Sequence, residues 1–217
     1  MNDIRLQRME VEGMVFQARI PLGEGPQPVF LLLHGWTGDE NSMWVFAGRL
    51  PKEALLLAPR GLYESSFGGY GWYPQLRRDW PELSDFQPAI DQLLGALQPK
   101  YFPSADFASI RVVGFSQGAA LAYSLALRRP EWIRSLAGLS GFVPTGVEDL
   151  ANEKPLEGKQ IFVSHGTKDQ LVPVERARDG VRILQTAGGI VSYCEEEVGH
   201  KLSAACFRSM QIFFQHN

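Results

Sequence analysis

Cysteine is scarce in this chain: Cys194 and Cys206 are its only two. Two thiols cannot build a disulfide framework or a four-cysteine zinc site, and a reducing cytoplasm is the simplest compartment for so thiol-poor a sequence. Long apolar runs are also missing. Nothing approaches the ~18 consecutive apolar residues of a membrane span, so no integral membrane association is expected. Residues 1–10 alternate charged with apolar side chains and hold no signal-peptide apolar region. Neither sign of charge dominates, with 21 Lys+Arg against 24 Asp+Glu and a net charge of −3. That balance lacks the basic footprint of a nucleic-acid binder. Repeats and low-complexity linkers are absent, so the chain reads as one domain over residues 1–217. What is there is ordinary: 45% hydrophobic and 21% charged residues, a composition that builds a core and excludes a disordered chain.

Apolar runs of strand length recur along the sequence, at residues 29–33, 55–58, 110–115, 135–139, 160–163 and 190–194. They are continuous rather than alternating, which is the habit of parallel strands buried on both faces. Residues 9–20 alternate instead and read as an N-terminal strand or hairpin. Helical periodicity occupies residues 85–97, 117–127, 175–186 and 202–214, and 117–127 is apolar almost all round, as a central buried helix would be. Strand–helix alternation of this kind predicts a doubly wound, mostly parallel α/β sheet. Residues 140–159 are broken by Pro144, Gly146, Pro155 and Gly158. They leave no room for a helical cap over the carboxyl ends of the strands.

The strongest motif is Gly114-Phe115-Ser116-Gln117-Gly118, a G-x-S-x-G sequence lying between a predicted strand and a predicted helix. That is the context of a nucleophile elbow. A serine there occupies a strained backbone conformation, and side chains at 114 and 118 would collide. The bland alternative is a glycine-rich strand-to-helix turn.

A serine nucleophile needs a base. Of four histidines, His216 lies one residue from the end, and His34 and His165 directly follow strands and read as loop-ordering side chains. His200, in Val198-Gly199-His200 between the last strand and last helix, is the best-placed base. Asp169, in the loop after residues 160–163, is the orienting acid, whereas Glu175 and Asp179 fall on a helix. The chain order Ser116, Asp169, His200 is that of the α/β-hydrolases. The oxyanion hole is expected from the backbone N–H of Gln117 and one in His34-Gly35-Trp36-Thr37-Gly38, with Trp36 ahead of Thr37.

Residues 61–88 are dense in aromatics, and Gly68, Gly69 and Gly71 are read as breaking regular structure there. This segment is either an apolar wall for an acyl chain or a satellite core under a long loop. Trp72 and Tyr73 are the candidate substrate contacts. Glu195-Glu196-Glu197 reads as a solvated face rather than a metal site.

Gly-Phe-Ser-Gln-Gly-Ala at 114–119, Leu-Leu-His-Gly-Trp at 32–36, His-Gly-Thr-Lys-Asp at 165–169 and Gly-His-Lys at 199–201 together resemble the phospholipase/carboxylesterase family. That family includes acyl-protein thioesterases and small bacterial carboxylesterases. The resemblance covers nearly the whole chain. It implies Ser116 as nucleophile, Asp169 and His200 as its partners, and Trp36 and Gln117 as oxyanion donors. Trp36 departs from the smaller aliphatic residue expected and narrows the acyl side. Dienelactone hydrolases, a neighbouring family, use Cys where this chain has Ser116.

The expectation is a capless α/β-hydrolase that cleaves small carboxylic esters of short to medium acyl chains through an acyl-enzyme, with no metal or organic cofactor. An acyl thioesterase or lysophospholipase, a transferase using the same acyl-enzyme, and a non-catalytic ligand-binding protein on the same scaffold remain open at this point.

Overall fold

The computed structural model describes residues 4–22, 25–74 and 79–217. Parts of the first ten residues and of the aromatic segment 61–88, namely 1–3 and 75–78, lie outside the described residues. The N-terminal alternation resolves into a hairpin, β1 (Ile4–Val11) and β2 (Met14–Pro21). Its two-residue turn is Glu12-Gly13, with φ of 51° and 76°. Positive φ at both central residues matches the right-handed twist of the flanking strands.

Each of the six apolar runs sits within a strand longer than the run itself. These strands are β3 (Gln27–Leu33), β4 (Leu55–Pro59), β7 (Ala105–Phe115), β8 (Ile133–Leu139), β9 (Gln160–Gly166) and β10 (Ile190–Glu196), following the hairpin. The sheet order is β1-β2-β4-β3-β7-β8-β9-β10. β2 runs antiparallel to β1 and β4, and every other neighbouring pair is parallel.

Both faces of the inner parallel strands are covered, which is why those strands are apolar without alternation; β10 departs from the expectation, an edge strand with no buried residue and with Ile190 and Tyr193 exposed. In β3, Leu31 and Leu33 face a core completed by α1 (Gln87–Ala96) and α2 (Gln117–Arg128), while Phe30 and Leu32 face the other layer. That second core contains Met43 and Phe46 of a 3-10 helix, Ser42–Arg49, and Met210, Phe213 and Phe214 of α5 (Ala204–His216). Two-residue periodicity sends odd and even residues of one strand into different cores. α4 (Val174–Thr186) packs its Leu184 on the first face. Between β8 and β9 the sole helix is α3 (Glu148–Asn152), five residues long, so among the described residues no helical cap covers the strand ends.

Three expectations need correction. Gly68 and Gly69 do not break structure: with φ of 86° and 67° they turn a small hairpin, β5 (Tyr63–Glu64) with β6 (Tyr70–Gly71). Trp72 is fully buried, so it belongs to the core rather than to a surface that meets substrate. The two cysteines are bonded to each other, Cys194 on β10 to Cys206 on α5. Low cysteine content therefore no longer argues for a reducing compartment. Among the described residues no helix is long and apolar enough to cross a membrane.

Candidate active site

Ser116 stands at the end of β7 with φ 54° and ψ −116°, as the N-cap of α2. Such a conformation is costly for a residue with a side chain and persists where the surroundings enforce it. The surroundings here are two glycines. A Cβ on Gly114 would lie 2.3 Å from the Gly118 carbonyl oxygen, and one on Gly118 would lie 2.2 Å from that of Leu33. The Ser116 N–H is held by the Leu139 carbonyl of β8 at 2.8 Å.

The structure brings Ser116, His200 and Asp169 together from three loops at the carboxyl ends of β7, β10 and β9. His200 Nε2 lies 2.9 Å from Ser116 Oγ, and His200 Nδ1 lies 2.7 Å from Asp169 Oδ2. Since a carboxylate only accepts, Nδ1 carries the proton and Nε2 is free to accept from the serine hydroxyl. Asp169 is fixed in turn, its Oδ1 accepting from the N–H groups of Leu171 and Val172 at 2.9 Å each.

The other two interior histidines order loops, as their positions indicated. His34 Nε2 accepts from the Gly61 N–H at 2.9 Å, so Nδ1 bears the proton and donates to the Gly35 carbonyl at 2.6 Å. His165 Nε2 donates to the Val172 carbonyl at 2.8 Å and lies 3.3 Å from Asp169 Oδ2. Burial pushes both imidazoles below the ordinary histidine range, so both are held neutral.

Trp36, Gln117, Ser116 and His200 all line one cavity of about 400 Å³. Gln117 opens α2, so its N–H lies at the positive end of that helix. Its side-chain carbonyl accepts the Trp72 backbone N–H at 2.7 Å. Trp72 gives its indole N–H to the His34 carbonyl at 2.7 Å. It therefore braces the loop that carries Trp36 and does not form wall. Tyr73 does line the cavity, with Trp80, Phe142, Leu171 and Val172. A second hollow of about 500 Å³, floored by Leu62 and Tyr63, shares Trp36 and Tyr73 with the first.

Sequence reasoning missed Phe142 and Leu171. Both follow the carboxyl ends of sheet strands, the place where open α/β sheets bind ligands, and that rule could have found them. It also missed Glu40. This carboxylate is 2% exposed and accepts a bidentate pair of bonds from Arg60 at 2.7 Å each, plus one from Arg8 at 3.0 Å. The Arg60 hydrogen bonds hold its pKa down at about 2. Glu40 anchors the chain just after Gly38, whose carbonyl accepts from the Tyr70 N–H at 2.8 Å. No local motif announces such a long-range pair. Of the acidic run, Glu195 pairs with Arg178 and Glu197 with Lys168, both at 2.7 Å.

An elbow serine, a histidine and an acid at the carboxyl edge of this sheet define the α/β-hydrolase class of protein. The profile of the phospholipase/carboxylesterase family matches residues 20–217, and the chain belongs to that family. Acyl-protein thioesterase 1 of Yarrowia lipolytica is 28% identical over 71% of this chain and 74% of its own length. The putative esterase NocK of Nocardia uniformis is 27% identical over 71% of this chain but 43% of its own. Among solved structures, the Bacillus cereus carboxylesterase superposes with a TM-score of 0.79 at 25% identity, covering 94% of this chain and 93% of that one.

Proposed function

We propose that the protein is a serine hydrolase for carboxylic esters of short to medium acyl chains, acting through an acyl-enzyme on Ser116. The observation that carries this reading is the unbroken hydrogen-bond chain from Ser116 Oγ through His200 to Asp169. Ser116 Oγ attacks the ester carbonyl while His200 Nε2 takes its proton. The tetrahedral oxyanion is held by the Trp36 and Gln117 N–H groups, each worth about a hundred- to a thousand-fold in rate. His200 then returns the proton to the leaving alkoxide, which departs as the alcohol. Water, deprotonated by the same imidazole, attacks the acyl-serine; the imidazolium returns that proton to Ser116 Oγ as the acyl C–O bond breaks, and the acid leaves. Asp169 keeps the Nδ1–H tautomer throughout and stabilises the imidazolium.

The size of the acyl group follows from the cavity. About 400 Å³ is at the small end of ligand pockets, and its apolar wall is made by Trp36, Tyr73, Trp80 and Phe142. No metal or organic cofactor enters this mechanism. Thioester cleavage is a second reading, favoured by the Yarrowia relative named acyl-protein thioesterase 1.

A fluorophosphonate should label wild-type protein and fail on Ser116→Ala. Ser116→Ala and His200→Ala should each lose at least about a thousand-fold in kcat, since the members of such a unit act together. Retention of most of kcat by Ser116→Ala would overturn the mechanism. Matched oxygen and sulfur esters, compared by kcat/KM, decide between the two substrate readings.

A further inference from the structure

Cys194 and Cys206 are separated by 12 residues, and His200 sits at the midpoint. The bond therefore closes a ring of chain around the loop that delivers the imidazole. Its two ends differ. Cys206 is in the first turn of α5 and 1% exposed, with its N–H accepted by Ser203 Oγ at 3.0 Å. It is anchored to the layer that holds Met210 and Phe213. Cys194 lies on β10, the edge strand of the sheet, whose residues Ile190 and Tyr193 are exposed. It is half-buried against the same layer, and β10 is held by its ladder to β9 on one side only.

The hydrogen bonds of the loop are equally one-sided. The Glu196 and Val198 carbonyls accept from Thr167 and Lys168 of the β9 loop, at 2.9 and 3.0 Å. Beyond His200 the structure gives one short turn, from the Lys201 N–H to the Gly199 carbonyl, and then the start of α5. Leu202 packs on the second core there, and the disulfide is the covalent link that ties the far side of this loop back to the edge strand.

We propose that the Cys194–Cys206 disulfide is a positioning element for His200, and that its reduction by a dithiol lowers hydrolysis. This rests on the reading of His200 as the base for Ser116. In the exchange, one thiolate of the dithiol attacks the half-buried Cys194 sulfur and expels the Cys206 thiolate, giving a mixed disulfide. The second thiol of the reagent then displaces Cys194. The products are the cyclic disulfide of the reagent and two protonated cysteines. With the ring open, the loop gains freedom against a hydrogen bond to Ser116 that must hold at 2.9 Å. Misplacement of a catalytic group by about 1 Å costs up to a hundred-fold. Apart from His200 itself, the cavity wall is built from other segments, so binding is largely spared.

The test uses the whole chain with dithiothreitol as the probe. Free thiols, far-UV circular dichroism, and kcat and KM for p-nitrophenyl butyrate are measured before reduction, after it and after reoxidation. The expected result is a rise from no free thiol to two, an unchanged fold, kcat lower by about ten-fold or more, KM within about two-fold, and recovery on reoxidation. Cys194→Ala/Cys206→Ala should be folded, as slow as reduced wild type and indifferent to dithiothreitol. Two free thiols in the protein purified without reductant would overturn the proposal. So would an unchanged kcat in the folded, reduced protein. Unfolding of both the reduced protein and the double variant would also overturn it, making the bond a global staple. If the double variant folds with full kcat, the proposal falls whatever reduction does to wild type. Fluorophosphonate labelling separates the two readings. Failure to label the oxidised protein defeats the hydrolase reading, while equal labelling rates in both redox forms defeat only the clamp.

Discussion

Gly118 passes so close beneath Leu33 that a Cβ on it would lie 2.2 Å from the Leu33 carbonyl oxygen. This contact sets α2 against the end of β3, and so places Ser116 beside the loop carrying Trp36. Gly118→Ala must push helix and strand apart. It is expected to cost about 1–3 kcal/mol through overpacking, read by urea unfolding, and to lower kcat as well. Ser116→Ala should leave the unfolding midpoint within the scatter of a surface change, since the same backbone is retained.

The two tryptophan and tyrosine neighbours should separate cleanly. Trp72→Phe removes the indole N–H from the His34 carbonyl, leaving a buried acceptor unpaired at a cost of about 1–3 kcal/mol. Its KM for small esters should hardly change. Tyr73→Ala should change KM or acyl-chain preference, and it also loses the packing of its ring on Phe86. The reverse pattern, in paired unfolding and kinetic measurements, would restore Trp72 as a substrate contact.

Trp36 stands in both hollows, packed edge-to-face on Phe67 with ring centroids 5.5 Å apart. Each buried CH₂ of an acyl chain gains at most about 0.8 kcal/mol, and only while wall remains to cover it. Wild type should therefore peak at short to medium p-nitrophenyl esters. Trp36→Ala joins the two hollows and should shift the optimum toward longer or bulkier acyl groups, with some loss of rate. A wild type that prefers long chains, with the variant optimum unmoved, would refute the assignment.

Acid should destabilise the fold in two stages. His34 and His165 are held below the ordinary histidine range by burial. Above about pH 6.5 neither state of the chain is protonated there, and below it the unfolded chain takes up protons first, so stability falls as pH drops. Glu40 acts lower. Its pKa of about 2 against 4.5 unfolded stabilises the fold fully above 4.5, and that contribution is lost as pH falls toward 2. Urea midpoints at pH 8, 6 and 4 should decline stepwise. A flat profile between pH 8 and 5 would contradict the buried neutral histidines.

Glu40→Ala leaves Arg60 without its bidentate partner beside the Trp36 loop. Removing one side of a buried pair costs about 3–5 kcal/mol, and Arg60 retains a partial outlet through Tyr70, whose ring it overlies at 4.6 Å. Thermal unfolding should therefore show a loss toward the lower figure, together with reduced kcat from a loosened oxyanion loop.

The order of Ser116, Asp169 and His200, the parallel sheet and the missing cap were legible in the sequence because each leaves a local mark. Two-sided burial makes strands continuously apolar, and an elbow demands glycines two residues either side of the serine. The hairpin turned by Gly68 and Gly69 was not legible, because the same glycines serve a turn or an irregular loop equally well. Composition marked Trp72 and Tyr73 as one aromatic pair. Only packing decided that Trp72 faces inward onto His34 while Tyr73 faces the cavity. The Glu40–Arg60 pair and the Cys194–Cys206 bond join residues that no periodicity connects. They exist because the sheet and α5 bring distant segments within bonding distance, and that is a property of the tertiary structure alone.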